Sequence, residues 1–126
     1  MEIFTFDRAE RAVERFGSVG THATRVATAD GGPVSATCLS VAPGGTVGAH
    51  PATAPQVFLV VAGDGWVAGE DGRRVPVAAG TGVRWEAGET HSSGSEGGAG
   101  LTAIVLEGHG LRVFPPDAAP GSRRLT

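Results

Sequence analysis

Glycine cuts this chain into short pieces. Twenty-one glycines are spread along 126 residues, more than twice the average usage of about 7%. Between them lie brief apolar runs rich in Val, Thr, Phe and Trp, which reads as many short strands joined by turns. THATRVATA at 21–29 precedes the turn DGGP, and VSATCLSV at 34–41 precedes PGG. QVFLVVA at 56–62 reads as a buried strand, and GDG at 63–65 turns it into GWVAG. GEDGRR at 69–74 is a hairpin, with Asp71-Gly72 a strong turn pair. RRVPV, GVRWE, HSSGS and LTAIVLEG follow, and LRVF at 111–114 adds an edge strand. About eight to ten strands with turn signals every 8–12 residues predict an all-β sandwich or barrel.

One segment has helical spacing. RAERAVERF at 8–16 places Ala9, Ala12, Val13 and Phe16 on one face. Asp7 can cap it with Glu10 three residues on, and Gly17 is a natural stop. The expected organisation is a strand/helix extension over 1–20, a β-barrel over 21–114 and a Pro- and Gly-rich flexible tail over 115–126, all in one domain.

Net charge is −3, against the basic stripe that nucleic-acid binding needs. The apolar run VFLVVA is far too short to span a bilayer. The polar, acidic start MEIFTFDRAE does not read as a signal peptide. A single cysteine, Cys38, excludes an internal disulfide and fits a reducing, cytoplasmic compartment. Cys38 reads as a small buried hydrophobe. All ten basic residues are Arg, and there is no Lys, Asn or Tyr. Gln56 is the only carboxamide side chain in the protein.

Four histidines occur: His22, His50, His91 and His109. Only His50 and His91 stand at turn-to-strand junctions with other polar groups close by; His109 is expected to be exposed. Two glycine-bounded blocks hold them. The first runs Gly44, five residues, His50, one residue, Ala52, three residues, Gln56, six residues, Gly63. The second runs Gly80, five residues, Glu86, one residue, Gly88, two residues, His91, three residues, Ser95.

These blocks resemble the two sequence motifs of the cupin superfamily over roughly residues 34–106. The resemblance implies a jelly-roll β-barrel whose first motif supplies His, His and Glu as metal ligands and whose second supplies a further His. His50 and His91 match. Ala52 replaces the second histidine, Gln56 the glutamate, Glu86 the usual proline and Ser95 the usual asparagine. The segment between the motifs, Asp64 to Ala79, has the short length of compact microbial cupins. The resemblance also implies a homodimer.

The remaining trio, His50, Gln56 and His91, forms a three-point site with open positions, a facial triad with its carboxylate neutralised. Two imidazoles and an amide oxygen suit Zn, Ni or Fe better than Ca or Mg. Ala52 opens space where a ligand, water or substrate atom could coordinate. Glu89 is an alternative carboxylate source. On the metal-free alternative, the three side chains hydrogen-bond to each other, to water or to an organic ligand. Phe58, on the Gln56 face, is a wall candidate. Trp85, Glu89 and Ser93 complete the expected substrate-binding set, and Trp66 reads as core.

Two functions follow. The first is a small metal-dependent enzyme acting on a small polar molecule, with His91 or Glu89 as acid or base if not ligated. The second is a metal-free binding or sensor module without catalysis. Neither calls for nucleic acid or membrane. Nothing in the chain marks a surface for a third reading, a domain that acts through a protein partner.

Overall fold

The apolar run at 56 does not stop at the Gly-Asp-Gly triplet. It continues as one 13-residue strand, Gln56–Ala68, and the triplet bends it rather than turning it. Gly63 sits at φ +76, and a Cβ there would run into the backbone carbonyl of Gly100, the residue just before the neighbouring strand. Only glycine combines that left-handed backbone with so close an approach.

The computed structural model describes residues 1–7 and 10–114; the tail expected over 115–126 lies outside them. Twelve strands occur among the described residues: β1 (Glu2–Thr5), β2 (Arg11–Ala12), β3 (His22–Ala23), β4 (Ala27–Ala29), β5 (Ser35–Val41), β6 (Thr46–Pro51), β7 (Gln56–Ala68), β8 (Arg74–Ala78), β9 (Thr81–Trp85), β10 (Thr90–Gly94), β11 (Leu101–Glu107) and β12 (Leu111–Val113). All pairings are antiparallel. The first half of β7 lies between β9 and β11, with β1 outside β9 and β5 outside β11. Its second half lies between β8 and β10, with β6 outside β10. One bent strand thus serves two sheets, as strands do at the corners of β-sandwiches.

Burial follows the pleat. Phe58 and Val60 point from β7 into the space between the sheets, where they join Ile3, Val67, Val83 and Trp85. Val57 and Leu59 point to the opposite face, against Phe4 and the small β4–β12 ribbon through Leu111 and Val113. Covered on both faces, the start of β7 needs apolar residues at consecutive positions, which is why it reads as an unbroken hydrophobic run. Trp66 is core, as expected, with the Arg74 guanidinium 3.8 Å over its ring.

Three expectations are corrected. The helix over 8–16 is not formed in the described part of that segment. Arg11–Ala12 pair with His22–Ala23 instead, and Arg15–Gly17 make a single 3-10 turn with Phe16 at φ 60. Phe16 is 95% exposed and Ala12 is exposed as well, so the would-be apolar face is left largely uncovered at its described residues, and a helix this short is marginal without such packing. Cys38 is exposed; it lies on β5, the edge strand of its sheet. The barrel is not closed, because β5 pairs only with β11 and β6 only with β10. No helix among the described residues is long and apolar enough to cross a membrane.

Candidate functional site

The open side between β5 and β6 leads into a cavity of about 200 Å³. Its apolar wall is Leu39, Val47, Phe58, Trp85 and Val105; its polar wall is Thr37, His50, Gln56, His91 and Ser93. Thr37 and His50 are exposed and mark the mouth, whereas Phe58, Trp85, His91 and Ser93 are buried and form the floor.

Strand register assembles the polar wall. His91 on β10 is the cross-strand partner of His50 on β6, so both side chains project from the same face. Their ring centroids are 4.4 Å apart with planes tilted by 56°. Opposite them, Gln56 is the cross-strand partner of both Trp85 on β9 and Glu107 on β11. Trp85 bridges the two sheets. Its ring stacks on His91 at 4.5 Å and meets Phe58 edge-on at 5.6 Å.

The histidine tautomers follow from their partners. His50 Nδ1 lies 2.7 Å from the Gly48 carbonyl, and His91 Nδ1 lies 3.1 Å from the Glu89 carbonyl. A carbonyl only accepts, so each Nδ1 must donate its proton. In the neutral rings, each Nε2 therefore carries a free lone pair.

Burial pushes the His91 pKa below the ordinary histidine value of 6.5. The Glu89 carbonyl bond pulls it back up, His50 lowers it further, and Glu89 and Glu107 raise it. The unfolded chain then takes up the proton first, near pH 6.5. This contribution to stability is complete above that pH and is lost as pH falls toward the folded value. Urea unfolding of metal-free protein is expected to show a midpoint that drops between pH 7 and pH 5 more steeply in the wild type than in His91→Gln. Equal slopes would show that His91 is not buried as a neutral ring.

Gln56 bonds to neither histidine. Its Nε2 donates to Glu107 Oε2 at 2.8 Å, and Thr53 Oγ1 donates to Glu107 Oε1 at 2.8 Å. The structure brings His50, Gln56, Phe58, Trp85, His91 and Ser93 together around one space. Glu89 is not part of that wall. Its Oε2 pairs with the Met1 ammonium at 2.8 Å and its Oε1 accepts the Glu86 N–H, so its backbone alone bonds to His91, while its carboxylate acts on that ring only through its charge. Ala52 does not open onto the cavity either. It is buried, with its N–H on the Glu89 carbonyl and its own carbonyl accepting from Gly88.

Sequence reasoning missed Thr37, Leu39, Val47 and Val105 in the wall, and Glu107 and Thr53 behind it. Glu107 is the last residue of LTAIVLE. Only the β7–β11 register, which the sequence does not state, places it beside Gln56.

The donor set is short for a metal but compatible with one. Among the described residues no group of three or more His, Cys, Asp or Glu stands in position to hold an ion, which argues against a closed four-ligand structural site. Two imidazoles with Nδ1 held by carbonyls match the way ligating histidines are usually oriented. The Gln56 side chain lines the same wall, with the Thr37 and Ser93 hydroxyls.

No protein-family model matches the sequence, and no curated protein matches it. Solved structures do. A Cupin 2 conserved barrel domain protein from Salinispora arenicola aligns at 23% identity, over 59% of this chain and 61% of its own, with TM-score 0.54. A cupin superfamily protein from Desulfitobacterium hafniense aligns at 14% identity, over 79% of this chain and 92% of its own, with TM-score 0.56. The fold is that of a cupin. A predicted oxalate decarboxylase from Thermotoga maritima aligns at 23% identity, over 64% of this chain and 65% of its own, with TM-score 0.50. Identities this low carry the fold alone. The cavity between the two sheets is the interior of this cupin fold, and its mouth lies where β5 and β6 leave the barrel open.

Proposed function

We propose that the cavity binds a small polar molecule next to one divalent transition metal (Zn, Ni or Fe) held by His50 Nε2, His91 Nε2 and the Gln56 amide oxygen. The supporting observation is the pair of Nδ1–carbonyl bonds, which leaves two imidazole lone pairs beside one space. When bound, such a metal supplies a Lewis acid that polarises an oxygen of the occupant. The residues of the chain do the rest. Leu39, Val47, Phe58 and Val105 exclude water from one side. Trp85 Nε1 is buried without a hydrogen-bond partner, a state that costs about 1–3 kcal/mol. At about 200 Å³ the cavity is below the roughly 300–1,000 Å³ of drug-sized pockets, which favours a small metabolite. His91, held neutral by burial, serves as a base when it is not ligated.

The test is uptake. Protein stripped with chelator and offered Zn²⁺, Ni²⁺ and Fe²⁺ in turn is expected to bind one equivalent of at least one of them. Failure to take up any would leave the second reading, a metal-free binding or sensor module. That reading draws on the absence of a three-residue His, Cys, Asp or Glu cluster among the described residues. The unpaired edges of β5 and β6 also support assembly as a homodimer, which light scattering after size exclusion decides.

A further inference from the structure

We infer that Glu107 is a positioning residue that fixes which end of the Gln56 amide faces the cavity. The inference rests on the reading of that cavity as a binding site. An amide can present either its oxygen or its NH₂ group, and the two would suit opposite occupants. A carboxylate removes the choice, because an ionised Glu107 only accepts. Its Oε2 takes the Gln56 N–H at 2.8 Å, while Thr53 Oγ1 holds its other oxygen at 2.8 Å. Glu107 does not line the cavity; it lines the neighbouring cleft with Thr53 and His109. The NH₂ group of Gln56 is therefore drawn toward that cleft, and its oxygen is left for the cavity.

Charge follows the same line. Every protein donor proposed for the metal is neutral. Glu107 puts one negative charge directly behind the Gln56 amide, where it polarises the amide and raises electron density on its oxygen. A bound dication then experiences a nearby carboxylate without being ligated by it. The net charge left to attract an occupant is about one positive unit, and no Arg lines the cavity wall to add to it. The arrangement selects a small molecule with an anionic or strongly dipolar oxygen and an apolar body.

Gln56 makes this testable with little ambiguity. It is the only carboxamide side chain in the protein, so a ¹H–¹⁵N spectrum holds one side-chain NH₂ pair. In metal-free wild-type protein, one proton of that pair is expected downfield of the free-amide position and slow to exchange. Glu107→Ala is expected to move both protons to free-amide positions. Glu107→Gln keeps the shape but lets the amide bond in either sense; it adds a second NH₂ pair, assigned by comparison with the double variant Gln56→Ala/Glu107→Gln, and is expected to shift the Gln56 pair as well. Thr53→Val loosens only the carboxylate and guards against loss of fold; it is expected to give a smaller shift in the same direction. Zn²⁺ affinity should fall by about 10–100-fold in Glu107→Ala, the range typical of groups that orient a metal ligand. An unchanged Gln56 pair in both Glu107 variants would overturn the inference, whatever the metal does. A collapsed pair in a protein that takes up no metal would uphold it and instead defeat the metal reading.

Discussion

Replacing His91 by alanine is expected to abolish metal uptake, weakening it by more than the roughly 10–100-fold typical of outer-layer partners. His91 is 4% exposed and stacks on Trp85, so its removal also opens a hole at the cavity floor. The expected stability loss is about 2–3 kcal/mol, in the range for buried large-to-small changes. His50→Ala separates the two effects. His50 stands exposed at the mouth, so its loss should cost about 0.5 kcal/mol or less, as surface changes usually do, while metal uptake falls as far as in His91→Ala. Calorimetric titration with Zn²⁺ and urea unfolding on the same samples read both quantities. Metal uptake that survives in either variant would contradict a site built on two imidazoles.

Gly63→Ala is expected to have the largest effect on folding. The bend of β7 puts residue 63 at φ +76 with the Gly100 carbonyl where a Cβ would be. The left-handed backbone alone costs about 1–2 kcal/mol for a non-glycine residue. Overpacking against a fixed neighbouring strand adds about 1–3 kcal/mol. A total of roughly 2–5 kcal/mol takes most or all of the stability of a marginal domain. Gly72→Ala is the control. Gly72 has nearly the same dihedral, φ +72, but nothing within 4 Å of a Cβ, so only the dihedral cost of about 1–2 kcal/mol applies. The urea midpoint should shift from wild type roughly twice as far in Gly63→Ala as in Gly72→Ala. Equal shifts would mean that the close approach of β7 to the strand after Gly100 is not what requires glycine at 63.

Local chemistry made most of the fold legible. Asp71-Gly72 turns β7 into β8 as its sequence demands, and VSATCLSV became β5 with its turn where PGG stands. The errors came where tertiary structure overrode local signals. GDG at 63–65 has turn chemistry, but β11 pairs with β7 up to Gly63 and β8 pairs with it from Asp64 onward, which keeps the strand running. The helical spacing of 8–16 had no core to meet. THATRVATA reads as one strand yet splits into β3 and β4, each of which pairs with a different partner.

The candidate site divides the same way. The cupin-like motif frame pointed to His50, Gln56 and His91, which line one cavity, and pleat alternation placed Phe58 and Ser93 on inward faces. Ala52 and Glu89 were misjudged because their side chains are decided by the 86–89 turn, which folds Ala52 beneath it and leads the Glu89 carboxylate away. Glu107 was invisible for a simpler reason. It lies 51 residues from Gln56 along the chain, and only strand register makes them neighbours.

One measurement bears most directly on the account: anomalous diffraction from crystals grown with one equivalent of Zn²⁺ or Ni²⁺. A single strong peak about 2.0–2.2 Å from the Nε2 atoms of His50 and His91, on the side of the Gln56 oxygen, is the expected result. A peak on Nδ1 of either ring, or a site where His50 and His91 bind no metal while other groups do, would contradict it.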